Sequence, residues 1–157
     1  MRALLIPLAL FASAAQAQML QRVIPGRAPP PPMLLGIDAL RADFIAKTGS
    51  DKVYFGGDSS GLTEQARATL AAQAQWLRQH PEVLVRIEGH ADASDTRDHA
   101  LAVGARRAEE VRNYLILLGV PAAQLASVSW GKERVAVQGS SAEALALNRR
   151  VVTVLVR

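Results

Sequence analysis

Apolar positions spaced by three and four dominate two long stretches of this chain, and strict alternation marks the segment between them. Leu62, Ala66, Leu70, Ala74 and Leu77 keep helical spacing, with Thr63 placed to cap the start and His80-Pro81 placed to end it. Leu101, Gly104, Ala108, Val111, Leu115 and Leu118 continue that spacing without a break. They predict a second helix from near Thr96 to just before Gly119 and Pro121. Between the two, Val83, Val85 and Ile87 fall on one face of a strand and Leu84, Arg86 and Glu88 on the other. Residues 52–55 read as an earlier strand stopped by Gly56-Gly57, residues 125–130 as a later one, and 142–147 as a short helix. Residues 151–156 are almost continuously apolar, as in a strand covered on both faces. The order βαβαβ(α)β predicts an α/β (α+β) sandwich, with a mixed sheet carrying helices on one face.

The ends of the chain differ in kind from this middle. Arg2, an apolar segment over residues 3–11 and Ala15-Gln16-Ala17 have the order of a secretory signal cleaved after Ala17. That segment is far shorter than the roughly 20 residues a membrane-spanning helix needs. Residues 18–50 read as a tether, with Pro25 and the prolines at 29–32 favouring extended polyproline II. Within it, residues 34–45 read as a short amphipathic helix that Gly49 would end. The expected organisation is signal 1–17, tether 18–50 and one globular domain over 51–157.

Composition narrows the chemistry. The net charge is +4, but the arginines are scattered rather than striped. Two tryptophans, two tyrosines and three phenylalanines offer little for base stacking, so nucleic acid is not an expected partner. There is no cysteine, hence neither a disulfide nor a thiol nucleophile. Ser59, Ser60, Ser140 and Ser141 lie in turn-like segments without a nucleophile elbow. His90-x-Asp92 with His99 offers three metal ligands, but no zinc-type spacing supports them, and His90 can bond locally at a strand end. The expectation is a binding protein, with no enzymatic activity, metal or cofactor.

The binding chemistry centres on Gly89-His90-Ala91-Asp92. Asp92 follows the alternating strand in the turn before the long helix, the end of a strand where α/β folds bind ligands. At about 100° per residue, Arg107 lies about 60° from the centre of the apolar stripe, whereas Arg106 falls nearly opposite it. Arg107 therefore flanks the buried seam and can reach back to the strand end, while Arg106 faces solvent. One carboxylate and one guanidinium at the mouth of a βα unit suit a zwitterion. The same spacing also permits a plainer arrangement, with Asp92 as a turn residue and Arg107 as its ion-pair partner.

A resemblance extends this reading. Val53-Tyr54-Phe55, Asp58, Leu62-Thr63, Gln75-Trp76-Leu77, Glu88-Gly89-His90-Ala91-Asp92, Arg106-Arg107-Ala108, Tyr114-Leu115, Gly119-Val120, Gly131-Lys132-Glu133-Arg134 and Asn148-Arg149-Arg150 carry it. In order and setting they resemble the OmpA-like domain family, and within it the peptidoglycan-associated lipoproteins. The resemblance covers nearly all of residues 51–157. It implies a periplasmic domain, associated with the outer membrane, that binds peptidoglycan non-covalently and links the envelope to the wall. It implies that Asp92 holds the amine of diaminopimelate in the stem peptide and that Arg107 holds its carboxylate. The second arginine of the Asn-Arg-Arg motif, Arg149 or Arg150 by position with Arg149 favoured, stands nearby. His90, Thr96, His99 and Asn148 are the expected supports. The alternative it implies is a protein-interaction module of the Tol-Pal system, docking Tol-system periplasmic proteins through the same face with weak or lost wall binding.

The chain departs from the pattern in three places. Asp95 stands where a glycine is usual, and His99-Ala100 where a tyrosine-asparagine pair is usual. Gln18 stands where the lipoproteins carry their lipidated cysteine, so no lipid anchor is expected.

Overall fold

Thr63, Thr96 and Ser141 each open a helix by the same chemistry. Each hydroxyl accepts a backbone N–H three residues on, from Ala66 at 3.1 Å, His99 at 3.3 Å and Ala144 at 3.2 Å, occupying one of the donors that a helix start leaves unpaired. The computed structural model describes residues 36–156. The signal and most of the tether expected from the sequence lie outside the described residues. The elements are α1 (Ile37–Thr48), β1 (Lys52–Tyr54), α2 (Glu64–Gln79), β2 (Val85–His90), α3 (Arg97–Leu117), β3 (Leu125–Gly131), α4 (Ala142–Asn148) and β4 (Arg150–Leu155). A 3-10 turn at Ala122–Gln124 leads into β3.

The four strands form one mixed sheet in the order β1-β4-β2-β3. β4 lies antiparallel to both β1 and β2, and β2 runs parallel to β3 across the α3 crossover. Val85 and Ile87 of β2 face the helices with Val151 and Leu155 of β4, and all four are buried. Leu70 and Leu77 of α2 and Val111 and Leu115 of α3 meet them there. The alternation of hydrophobic residues in β2 and the helical stripe of α3 thus close on one core.

The strand expected at 83–87 runs two residues later, because pairing with β3 continues as far as His90; Val83 lies just before the strand and is still buried. The larger correction concerns the tether. Its last third is α1, whose Phe44 is fully buried and meets the Trp76 ring edge-on at a centroid distance of 5.1 Å. The Trp76 indole N–H donates to Asp43 Oδ2 at 2.8 Å, and Gly49 ends α1 with φ 79°. The folded unit therefore takes in residues ahead of 51. The polar half of α1 hid this packing from the sequence, since Phe44 is its one fully buried hydrophobic residue and Ile37 and Leu40 are only partly covered.

One close approach sets the position of the site. A methyl group built on Gly89 of β2 would collide with the backbone carbonyl of Gly104 in α3, and one on Gly104 would come within 2.9 Å of the Gly89 oxygen. The helix lies directly on the strand there, which only glycine at both positions allows. Arg107 sits one turn beyond this contact.

Candidate functional site

Where β2 ends and α3 begins, Asp92 and Arg107 line one narrow cleft, together with Gly57 and Asp58 of the β1–α2 loop, Asp95, and His99, Ala100 and Val103 of α3. It has room for about 10 Å3, close to a single water.

Arg107 is fully buried, and Arg106 beside it is exposed. The Arg107 Nε donates to the Ser59 carbonyl at 2.9 Å, Nη1 to the His90 carbonyl at 3.0 Å, and Nη2 to the Gly57 carbonyl. Its guanidinium carbon stands 5.2 Å from the centre of the Phe55 ring. A guanidinium carries five N–H groups, so three carbonyl bonds leave capacity for an anionic ligand. Burial lowers the Arg107 pKa, and the Asp92 charge works against that shift. The group stays a cation, because arginine does not lose its proton in proteins.

Asp92 is held from two directions. Oδ1 accepts the Ser94 amide at 2.9 Å and also the Ser94 hydroxyl. Oδ2 accepts Nε of Arg149 at 2.6 Å. Burial by itself would raise the carboxyl; the Ser94 bonds and then Arg149 outweigh it and hold the pKa below the ordinary 3.8. Asp92 is therefore a carboxylate at neutral pH. Its ion-pair partner is Arg149, not Arg107.

The structure brings Asp92, Arg107, Arg149 and His99 to this corner of the fold and takes other expected side chains elsewhere. Arg150 begins β4 and turns inward, donating to the carbonyls of Arg134 at 3.1 Å and Asn148 at 3.5 Å. Asn148 is fully buried, and its Oδ1 accepts the amides of Ala136 at 2.7 Å and Val137 at 3.2 Å, so it organises the loop before α4. Thr96 caps α3. His90 contributes its backbone carbonyl to Arg107, while its ring is buried with Glu88, whose Oε2 lies 4.0 Å away, and Arg150. Neither ring nitrogen has a hydrogen-bond partner. Burial, and next the Arg150 charge, lower the His90 pKa to about 4.

The sequence reading gave no role to the β1–α2 loop, although it supplies two of the three carbonyls that fix Arg107. Backbone acceptors are indifferent to side-chain identity and leave no residue signature. Asp58 was visible only as one residue within the wider resemblance.

The OmpA family matches residues 54–149. A protein named peptidoglycan-associated lipoprotein from Rhizobium meliloti is 43% identical over 113 residues, covering 72% of this chain and 64% of that protein. A protein of the same name from Pseudomonas aeruginosa is 40% identical over 115 residues, covering 73% of this chain and 68% of its own. The chain thus spans just under two thirds of the length of the Rhizobium relative. Among solved structures, the peptidoglycan-associated lipoprotein from Burkholderia pseudomallei superposes with a TM-score of 0.67 at 40% identity, covering 68% of this chain and 91% of that one. The C-terminal domain of Helicobacter pylori MotB shares the fold, with a TM-score of 0.64 at 23% identity over 68% of this chain and 84% of its own.

Proposed function

The chain belongs to the OmpA family, and from that premise we propose that it binds peptidoglycan non-covalently in the periplasm, holding the diaminopimelate of a stem peptide at the β2–α3 cleft. The observation that carries this reading is one charged carboxylate, Asp92, in a cleft also lined by the buried Arg107, with Arg149 paired to that carboxylate. Diaminopimelate bears an ammonium and a carboxylate on one carbon. The ammonium suits Asp92, and the carboxylate suits a guanidinium fork.

Arg149 already occupies one oxygen of Asp92, so binding is an exchange. The ligand ammonium takes over the Asp92 oxygen that Arg149 holds, and the ligand carboxylate receives the freed Arg149 and the spare N–H groups of Arg107. Both protein charges are already largely withdrawn from water, which reduces the new desolvation that binding requires. Arg107 is fixed by backbone carbonyls, so little side-chain entropy is lost at that contact.

Calorimetry with a diaminopimelate-containing stem peptide tests the reading. The expected result is saturable binding at one site, weakened about tenfold or more in Asp92→Ala, the loss of one charge-assisted hydrogen bond. Absence of saturable binding to the unaltered protein would refute it.

The tightness of the cleft, with room for about one water, favours a second reading, in which this corner presents a surface to a Tol-system periplasmic protein. Under that reading the stem peptide gives no heat, while a purified Tol protein binds and loses affinity on Asp92→Ala.

A further inference from the structure

The same cleft holds a second set of donors, none of which contacts the ligand in the proposed exchange at Asp92, Arg107 and Arg149. Asp58 comes from the β1–α2 loop, Asp95 from the turn before α3, and His99 from the first turn of α3. One ligand atom from each lies within 4.8 Å of the others. His99 Nε2 is 3.4 Å from Asp95 Oδ2 and 3.6 Å from Asp58 Oδ2. Those separations are longer than a good N–H···O bond, which falls near 2.9 Å. They match the distance of about 3.3–3.6 Å between two donors that each sit about 2.0–2.2 Å from one tetrahedral ion. His99 Nε2 is itself shut off from solvent and has no hydrogen-bond partner, although it stands near both carboxylates, whose side chains are exposed. The space beside the three side chains, about 10 Å3, admits one small ion or a water.

We propose that Asp58, Asp95 and His99 bind one divalent transition-metal ion of the zinc class, with the remaining coordination position left to water or a ligand. The imidazole nitrogen selects against magnesium and calcium, which take oxygen ligands. Asp95 and His99 are four residues apart and share one side of the helix start, whereas Asp58 belongs to a separate loop. The ion therefore ties the β1–α2 loop to α3 and adds positive charge beside Asp92 and Arg107. Asp95 and His99 stand at two of the positions where this chain departs from the pattern it otherwise resembles, which makes the site a property of this chain.

The test is calorimetric titration of zinc chloride into the chelator-treated full chain. One saturable event is expected, with His99→Gln and Asp95→Asn each binding about tenfold or more weakly. Zinc should raise the Tm of the unaltered protein and leave that of His99→Gln unchanged. Cobalt(II) supplies a readout that needs no variant: intense visible bands of a four-coordinate ion are expected, and the pale spectrum of the hydrated ion would overturn the proposal. So would the absence of saturable zinc binding, or undiminished affinity in His99→Gln. The titration contains no wall material, so its failure leaves the wall-binding reading standing.

Discussion

Asp92 and Arg107 carry opposite charges in one cleft, yet they answer differently to truncation. Asp92 is partly exposed and bonded to surface partners, Ser94 and Arg149. Arg107 is fully buried, and removing it strands the carbonyl of buried His90 and opens a void beside Phe55, while the carbonyls of the exposed Gly57 and Ser59 can turn to water. The one stranded buried acceptor costs about 1–3 kcal/mol, and the lost side-chain packing adds to it. Arg107→Ala is therefore expected to lose more stability than Asp92→Asn, which urea unfolding of the two variants will show. A binding defect in Arg107→Ala consequently reports folding as well as contact, and Asp92 is the sharper probe of function.

His90 makes a second prediction at this scale. Folded, the ring gains its proton only near pH 4; unfolded, it does so near the ordinary 6.5. Between those values the unfolded chain holds more protons, so stability falls as pH falls from 6.5 to 4. At about 1.4 kcal/mol per pH unit, the full loss is on the order of 3 kcal/mol. Asp92 titrates below this window, since its carboxyl is held under 3.8. Urea midpoints at pH 7 and pH 4.5 should diverge for the unaltered protein and much less for His90→Gln. Parallel behaviour of the two would remove His90 from the account. Helical phase alone separated Arg107 from Arg106 in the sequence. The resemblance placed Arg149 nearby, but that it rather than Arg107 pairs with Asp92 was not legible, because the pair joins residues 57 positions apart.

At the scale of elements, the contact between β2 and α3 decides whether the site exists. Helix propensity would favour alanine over glycine within α3 by about 1 kcal/mol. Packing opposes it: the added methyl at Gly104 meets the Gly89 carbonyl, and that at Gly89 meets the Gly104 carbonyl. Overpacking of this kind costs about 1–3 kcal/mol, so both Gly89→Ala and Gly104→Ala are expected to destabilise. Gly89→Ala should be the worse, having no helix propensity to regain. Circular dichroism melts of the two variants check the order, and a stabilised Gly104→Ala would show that the helix can lift away without penalty. The sequence displayed Gly104 within the apolar stripe and Gly89 at a strand end. Nothing local to either glycine said that they face each other, since that follows from the β2–α3–β3 crossover.

For the molecule as a whole, the periodic stretches were the legible part. α2, α3, β3, α4 and β4 lie within a residue or two of where hydrophobic spacing and capping residues placed them. The helix of α1 and its end at Gly49 were legible, but its weak periodicity gave no sign that it packs on the domain, where Phe44 lies in the main core. Phe44→Ala should cost about 3–5 kcal/mol if α1 is integral to the domain. A loss under about 1 kcal/mol, the scale of a surface change, would return residues 36–50 to the tether. Wall binding at Asp92 is open to a direct test at the corner of the fold where β2 ends. The most direct measurement is co-sedimentation with purified diaminopimelate-type peptidoglycan of three proteins: the unaltered chain, Asp92→Asn and Arg106→Ala. Wall binding at Asp92 requires that the unaltered chain and Arg106→Ala pellet alike with the wall, while Asp92→Asn, folded and equally soluble, binds about tenfold or more weakly. Asp92→Asn pelleting as well as the unaltered chain, or the unaltered chain remaining in the supernatant, would contradict it.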